Sequence, residues 1–177
     1  MNLPETRLSR VIDPLISWVG QWASGLWVVL MAIIVGNVVS RYVFGKGYIE
    51  IEEIQWHIYS FGFLIGLSYA YQSDSHIRVD VIHERLPTRV QAWIEFYGTL
   101  LFTVPFILII LTFSFPFVAA SYELNEISQS PGGLPYRWLV KAALPISFIL
   151  LSLAVLSRLS RVCVTLFGNR RAKRGGK

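Results

Sequence analysis

The chain has 177 residues, 54 % of them hydrophobic and only 15 % charged, and its 16 Lys and Arg outnumber 11 Asp and Glu for a net charge of +5. Soluble domains are about a quarter charged, so this composition excludes a soluble catalytic domain and places the chain in a bilayer. The lone cysteine, Cys163, excludes intramolecular disulfides and dithiol redox chemistry.

Arg7 and Arg10 precede a charge-free run of 27 residues, Pro14 to Ser40. At about 1.5 Å per residue that is roughly 40 Å of helix against a hydrocarbon core of about 30 Å. A signal peptide's apolar region is much shorter, so a retained first span over residues 17–43 is expected. Before it, Leu8, Val11, Ile12, Leu15 and Val19 recur at helical spacing. They predict a short interfacial lead-in helix, broken or bent at Pro14.

Phe44-Gly45-Lys46-Gly47-Tyr48 reads as a turn at headgroup level. The next charge-free run, Ile58 to Ser73, has 16 residues. Since that gives only about 24 Å, the second span is expected over 51–72, with Glu52, Glu53 and His57 in its first two turns. In the following link, Val79, Ile82, Leu86, Val90 and Trp93 are spaced by three or four, which predicts an interfacial segment ended at Pro87.

A second run of 27 residues, Phe96 to Tyr122, predicts a third span over 90–122, bent by Pro105 and Pro116. The loop ELNEISQSPGGLPY is turn-rich, with its tip at Ser130-Pro131-Gly132-Gly133. The fourth span, 137–160, contains the 16-residue run Ala142 to Ser157 and crosses by snorkelling Lys141 and Arg158. A basic tail, 161–177, follows. The fold class expected is an all-α integral membrane protein, one four-helix domain over residues 1–177.

Charge sets the orientation. Arg7, Arg10, Arg78, Arg85, Arg89, Arg158, Arg161, Arg170, Arg171, Lys173, Arg174 and Lys177 share one face. Arg41, Lys46, Arg137 and Lys141 share the other. The positive-inside rule then places both termini and the middle link in the cytoplasm, the basic tail contacting anionic phospholipid and no nucleic acid.

No span has an ionisable residue near its middle, where carriers keep such groups, so the chain is not expected to move a solute alone. A two-haem bundle needs four facing histidines, whereas only His57, His76 and His83 are present, none of them mid-span. No cofactor, metal or catalytic site is expected. A stand-alone four-span transporter and a haem-binding redox anchor are the competing classes. Glu52 and Glu53 suit the positive end of the second helix. Lys141 opposes the dipole at the start of the fourth, so Glu52 or Glu53 is its expected partner, with a carboxylate of another subunit as the alternative. Gly62-x-x-x-Gly66 allows a close helix approach.

In order along the chain stand Arg-Tyr-Val-Phe, Glu52-Glu53-Ile54-x-Trp56, Phe63-Leu64-x-Gly66-x-x-Tyr69, His76-Ile77-Arg78-Val79-Asp80 and Pro135 with Lys141 and Pro145. From Trp18 to Arg158 this order resembles the small membrane subunit, DctQ-like, of tripartite ATP-independent periplasmic (TRAP) transporters. The resemblance implies a sodium-driven importer of organic acids in a bacterial inner membrane. A large elevator-type permease subunit would carry the substrate, a periplasmic binding protein would deliver it, and the small subunit would be a non-enzymatic scaffold. It further implies structural or interface roles for Glu52, Glu53, Trp56, His76, Arg78, Asp80 and Lys141, beside Gly62, Gly66 and Tyr69.

Overall fold

The computed structural model describes residues 4–75 and 86–168, and among these every regular element is helical. Helix α1 spans Arg7–Phe44 and α2 spans Ile49–Gln72. Helix α3, Thr88–Gly98, runs through a π-helical turn, Thr99–Thr103, into α4, Val104–Glu123. Helix α5 spans Trp138–Phe167. Among the described residues, three helical stretches are long and apolar enough to cross a membrane: α1, α3 to α4, and α5. Helix α2 is not among them, because its Glu-rich start and its Gln, Ser and Tyr residues lower its hydropathy.

Helix α1 runs unbroken through Pro14, so of the break or bend expected there the break is corrected. Thr6 caps it, and its first turns bury Ile12 and Ile16 against Ala154 of α5, with Tyr71 and Leu153 beside them. That packing, and a 2.8 Å bond between the Thr6 and Ser160 hydroxyls, makes the lead-in part of the bundle. Its 38 residues extend about 57 Å. The helix stops at Gly45, whose φ of 64° is the left-handed value glycine adopts without strain.

The third stretch handles its proline differently. Pro105 cannot donate to the carbonyl of Leu101, and the π turn immediately before it absorbs the change of register. Pro87, the N-cap of α3, separates the link from the helix. The expected interfacial segment lies mostly outside the described residues. Helix α5 continues to Phe167, beyond the expected end of the fourth span.

Helix α5 is the hub of the bundle. It packs against α1, α2, α3 and α4, while α1 pairs with α2. Small residues on α5, among them Ala143, Ser147, Ala154 and Ser157, are buried and let the neighbours approach. Ile107, Phe148 and Val155 form the main core cluster. The second close approach is between Gly20 and Tyr69: a Cβ on Gly20 would lie 2.6 Å from Tyr69 Cγ.

Candidate functional site: two polar layers

The charged side chains gather at the two ends of the bundle. One end carries the links 45–48 and 124–137, and the other carries the link between α2 and α3.

At the loop end, α1 finishes with Arg41 and α2 begins with Glu50, Glu52 and Glu53, each sign placed where the helix dipole favours it. Arg41 donates to Glu52 across the turn. Glu53 reaches the other way: one carboxylate oxygen accepts from Ser128 Oγ and the other from Leu134 N–H at 2.6 Å. It thereby fastens the 124–137 loop to α2. A Cβ on Gly133 would sit 2.7 Å from the Glu53 carboxylate and 2.5 Å from Ser128 Cβ, so a larger residue there would force these side chains to shift. The His57 Nδ1–H donates to the Glu53 carbonyl at 2.5 Å. Between loop and helix lies a cleft of about 400 Å³, with Trp56, His57 and Arg137 in its walls.

Lys141 donates to Glu126 of the same loop, and Arg137 Nε lies 3.6 Å from that carboxylate's second oxygen. The expected pairing of Lys141 with Glu52 or Glu53 is therefore corrected. The loop folds back so that Arg137 N–H meets the Glu126 carbonyl at 3.1 Å, which brings Glu126 beside the first turn of α5. Glu52 and Glu53 are committed to Arg41 and to the loop. The hydrogen bond from Lys141 is the main cause holding the Glu126 carboxyl below the ordinary carboxylate range, aided by the Lys141 and Arg137 charges. Lys141 Nζ also sits 4.2 Å over the Phe117 ring.

At the opposite end, one stretch of α5 binds three other segments. Arg158 donates through Nε to Glu95 of α3, through Nη2 to Asp74 at 2.8 Å, and through Nη1 to the Tyr71 carbonyl at 3.4 Å. Its side chain is only 9 % exposed and that of Glu95 only 7 %, so this pair is buried. Arg161 donates to Asp13 of α1, and Ser157 Oγ donates to the same carboxylate at 2.6 Å. Gln72 of α2 completes the layer, donating to the Asp13 carbonyl at 3.0 Å and to Ser17 Oγ at 3.2 Å.

Of the residues singled out in sequence, Glu53 and Lys141 both hold the 124–137 loop, each through its own contact. Glu52 closes the α1–α2 turn, and Trp56 is 69 % exposed beside the cleft. Gly62 faces Trp27, where a Cβ would find ordinary 3.5 Å contact, and Gly66 faces nothing within 4 Å. Tyr69 packs on Gly20. His76, Arg78 and Asp80 lie outside the described residues. Sequence reasoning missed Asp13, Asp74 and Glu95, and treated Arg158 as a snorkelling end. Yet the four charge-free runs meet this end of the bundle at Asp13, Asp74, Glu95 and Arg158, three acids and one base. That clustering of sign was the available signal. Among the described residues no group of three His, Cys, Asp or Glu could hold a metal ion.

The family model described as tripartite ATP-independent periplasmic transporters, DctQ component, matches residues 30–165. The chain is 26 % identical over 145 residues to the sialic acid TRAP transporter permease protein SiaT of Haemophilus influenzae strain 86-028NP, covering 80 % of this chain and 22 % of that one. It is 32 % identical over 124 residues to a TRAP transporter small permease protein of Haemophilus influenzae strain Rd, covering 70 % of this chain and 77 % of that one. The chain thus spans about a fifth of the first relative and most of the second. With the matched region extending from α1 to the last turns of α5, the chain belongs to the DctQ component family of TRAP transporters, multi-pass proteins of the inner membrane.

Proposed function

We propose that this chain is the fixed scaffold subunit of a sodium-driven TRAP-type importer of organic acids. Its partners are a large elevator-type permease subunit and a periplasmic binding protein, and it neither binds nor moves substrate alone. All four long helical stretches span the bilayer, with both termini cytoplasmic. Helix α2, at 24 residues or about 36 Å, is long enough to do so. The loop end is then periplasmic and the Arg158 layer cytoplasmic.

The observation that carries this reading is the confinement of charge. Every ion pair among the described residues belongs to an end of the bundle, and none lies midway. A carrier needs polar groups at the midplane to replace the hydration of an ion or acid. Among the described residues this bundle places no charged group there, only the apolar cluster of Ile107, Phe148 and Val155 with small hydroxyls such as Ser114 and Ser147, as suits a scaffold.

The test is uptake into proteoliposomes holding this chain, the large subunit, or both, with the binding protein and a sodium gradient outside. Uptake only when both membrane subunits are present is expected. Sodium-dependent uptake with this chain alone would refute the scaffold role.

A further inference from the structure

On α5 the buried residues Phe148, Val155 and Val162 succeed one another at seven-residue steps. The α3–α4 stretch packed on this helix keeps the same step on each side of its π turn, but not across it. Ile107, Ser114 and Ser121 are buried at seven-residue steps in α4. Carried back toward α3, that series reaches positions 100 and 93. The buried residues are instead Thr99 and Ala92, one position earlier, and Leu100 is 44 % exposed. The interval from Thr99 to Ile107 is thus eight residues, and the π turn Thr99–Thr103 lies inside it. We propose that this turn is a one-residue insertion that keeps α3 and α4 on the same face of α5, so that Glu95 meets Arg158. The packed faces, and not Pro105, hold it in place.

Helical geometry requires such a device. Seven residues of α-helix return to within about 20° of the starting direction, whereas eight leave it turned by about 80°. A π turn closes its hydrogen bond over five residues instead of four and so takes up one extra residue. Here Val104 N–H donates to the Thr99 carbonyl, five positions back. On the α4 side Ile107 shares a core cluster with Phe148 and Val155, and the Phe106 and Phe148 rings lie 5.9 Å apart. On the α3 side Glu95 accepts from Arg158 Nε, and Thr99 Oγ1 lies 3.3 Å from the Tyr71 hydroxyl. Tyr71 packs on the Ile107 cluster as well, so a single core is gripped from both sides of the turn. Leu101 and Phe102 are 62 % and 76 % exposed, so the extra residue takes no room in that core.

Proline alone does not account for the turn. The Pro105 ring disturbs the helix at the Leu101 carbonyl, as any interior proline does four positions back. Yet Pro14, Pro116 and Pro145 stand inside α1, α4 and α5, and each of those helices continues as α-helix. What sets the 99–103 segment apart is the shift of the buried series by one position.

The test uses the full chain, purified in detergent, with Pro105→Ala as the parent. Deleting Phe102 from that parent should give a continuous α-helix with both faces still in phase, and an unfolding temperature within about 3 °C of the parent. Inserting an alanine after Leu101 should lower it by about 10 °C, the scale of losing a buried pair, or prevent folding. In an ordinary helix the two changes would do equal harm, because each turns the far face by about 100°. The second readout is the buried pair itself. Adding Glu95→Gln to Arg158→Met should recover part of the lost stability in the Pro105→Ala parent and in the deletion, and none in the insertion. A deletion variant that does not fold, or unfolds as readily as the insertion, would overturn the inserted-residue role, as would recovery in the insertion. Loss of the recovery in the parent would make Pro105 the cause of the turn and overturn the proposal on that side.

Discussion

Lys141 and Arg158 lie seventeen positions apart on α5, about 26 Å along its axis, and each is neutralised by carboxylates from segments other than its own helix. The separation approaches the thickness of a hydrocarbon core, about 30 Å. One helix thus carries the anchor point of both polar layers, with its apolar face between them.

Arg158 should be the most sensitive charge in the chain. Arg158→Met takes the guanidinium away from the buried Glu95 carboxylate, and removing one member of a buried pair costs about 3–5 kcal/mol. Arg158→Lys should rescue only part, because an ammonium cannot serve Glu95, Asp74 and the Tyr71 carbonyl in one fork. Thermal unfolding in detergent should rank wild type, Lys and Met in falling order. Adding Glu95→Gln to Arg158→Met should recover part of the loss, and full additivity of the two would contradict a direct pair.

Lys141 should couple to Glu126 and to neither glutamate of α2. In double-mutant cycles read by loop proteolysis, Lys141→Met with Glu126→Gln should fall short of the sum of the singles. Combinations of Lys141→Met with Glu52→Gln or Glu53→Gln should add. Coupling to Glu53 in place of Glu126 would restore the pairing expected from sequence.

Acid should release the same loop. The Glu126 carboxyl titrates below its usual value, about 4.3, because its charged form is stabilised in the folded chain. A depressed folded value contributes stability that is complete above the ordinary value and disappears as pH falls through the lowered one. Hydrogen exchange at residues 124–137 should therefore be flat from pH 7 to about 5, once corrected for intrinsic rates, and show loosening below about 4. Glu126→Gln should be loose across the range; a wild-type profile in that variant would remove Glu126 as the cause.

The two glycine contacts should separate cleanly. Gly20→Ala forces a methyl to within 2.6 Å of Tyr69 Cγ, so it should destabilise by about 1–3 kcal/mol, the usual cost of overpacking. Gly66→Ala meets open space and should change the unfolding temperature little. Equal effects from both would mean that Gly20 does not set the α1–α2 distance.

The helices were legible because a charge-free run of that length has few alternatives, and α2 was legible only by extending a short run into its acidic turns. The continuity of α1 was not. Pro14 signals a break locally, and what overrides it is the burial of Ile12 and Ile16 on a helix more than a hundred residues away. The Lys141 partner was illegible for a similar reason. Depth alone put Glu52 and Glu53 opposite it, but the loop's return depends on left-handed backbone at Asn125, Gly132 and Tyr136 and on the grip of Glu53. Of these Asn125 and Gly132 are residue types that favour such a turn, whereas Tyr136 gives no sign of one.

The hub helix is also the last of the described helices to be made. Asp13, Asp74 and Glu95 all precede Arg158 and Arg161 in the chain, so the three carboxylates are made before either arginine they meet. In the finished bundle, contact between the α1–α2 pair and the α3–α4 stretch runs mainly through α5. A chain cut before residue 158 would lack both guanidiniums that Asp13, Asp74 and Glu95 meet in the finished bundle.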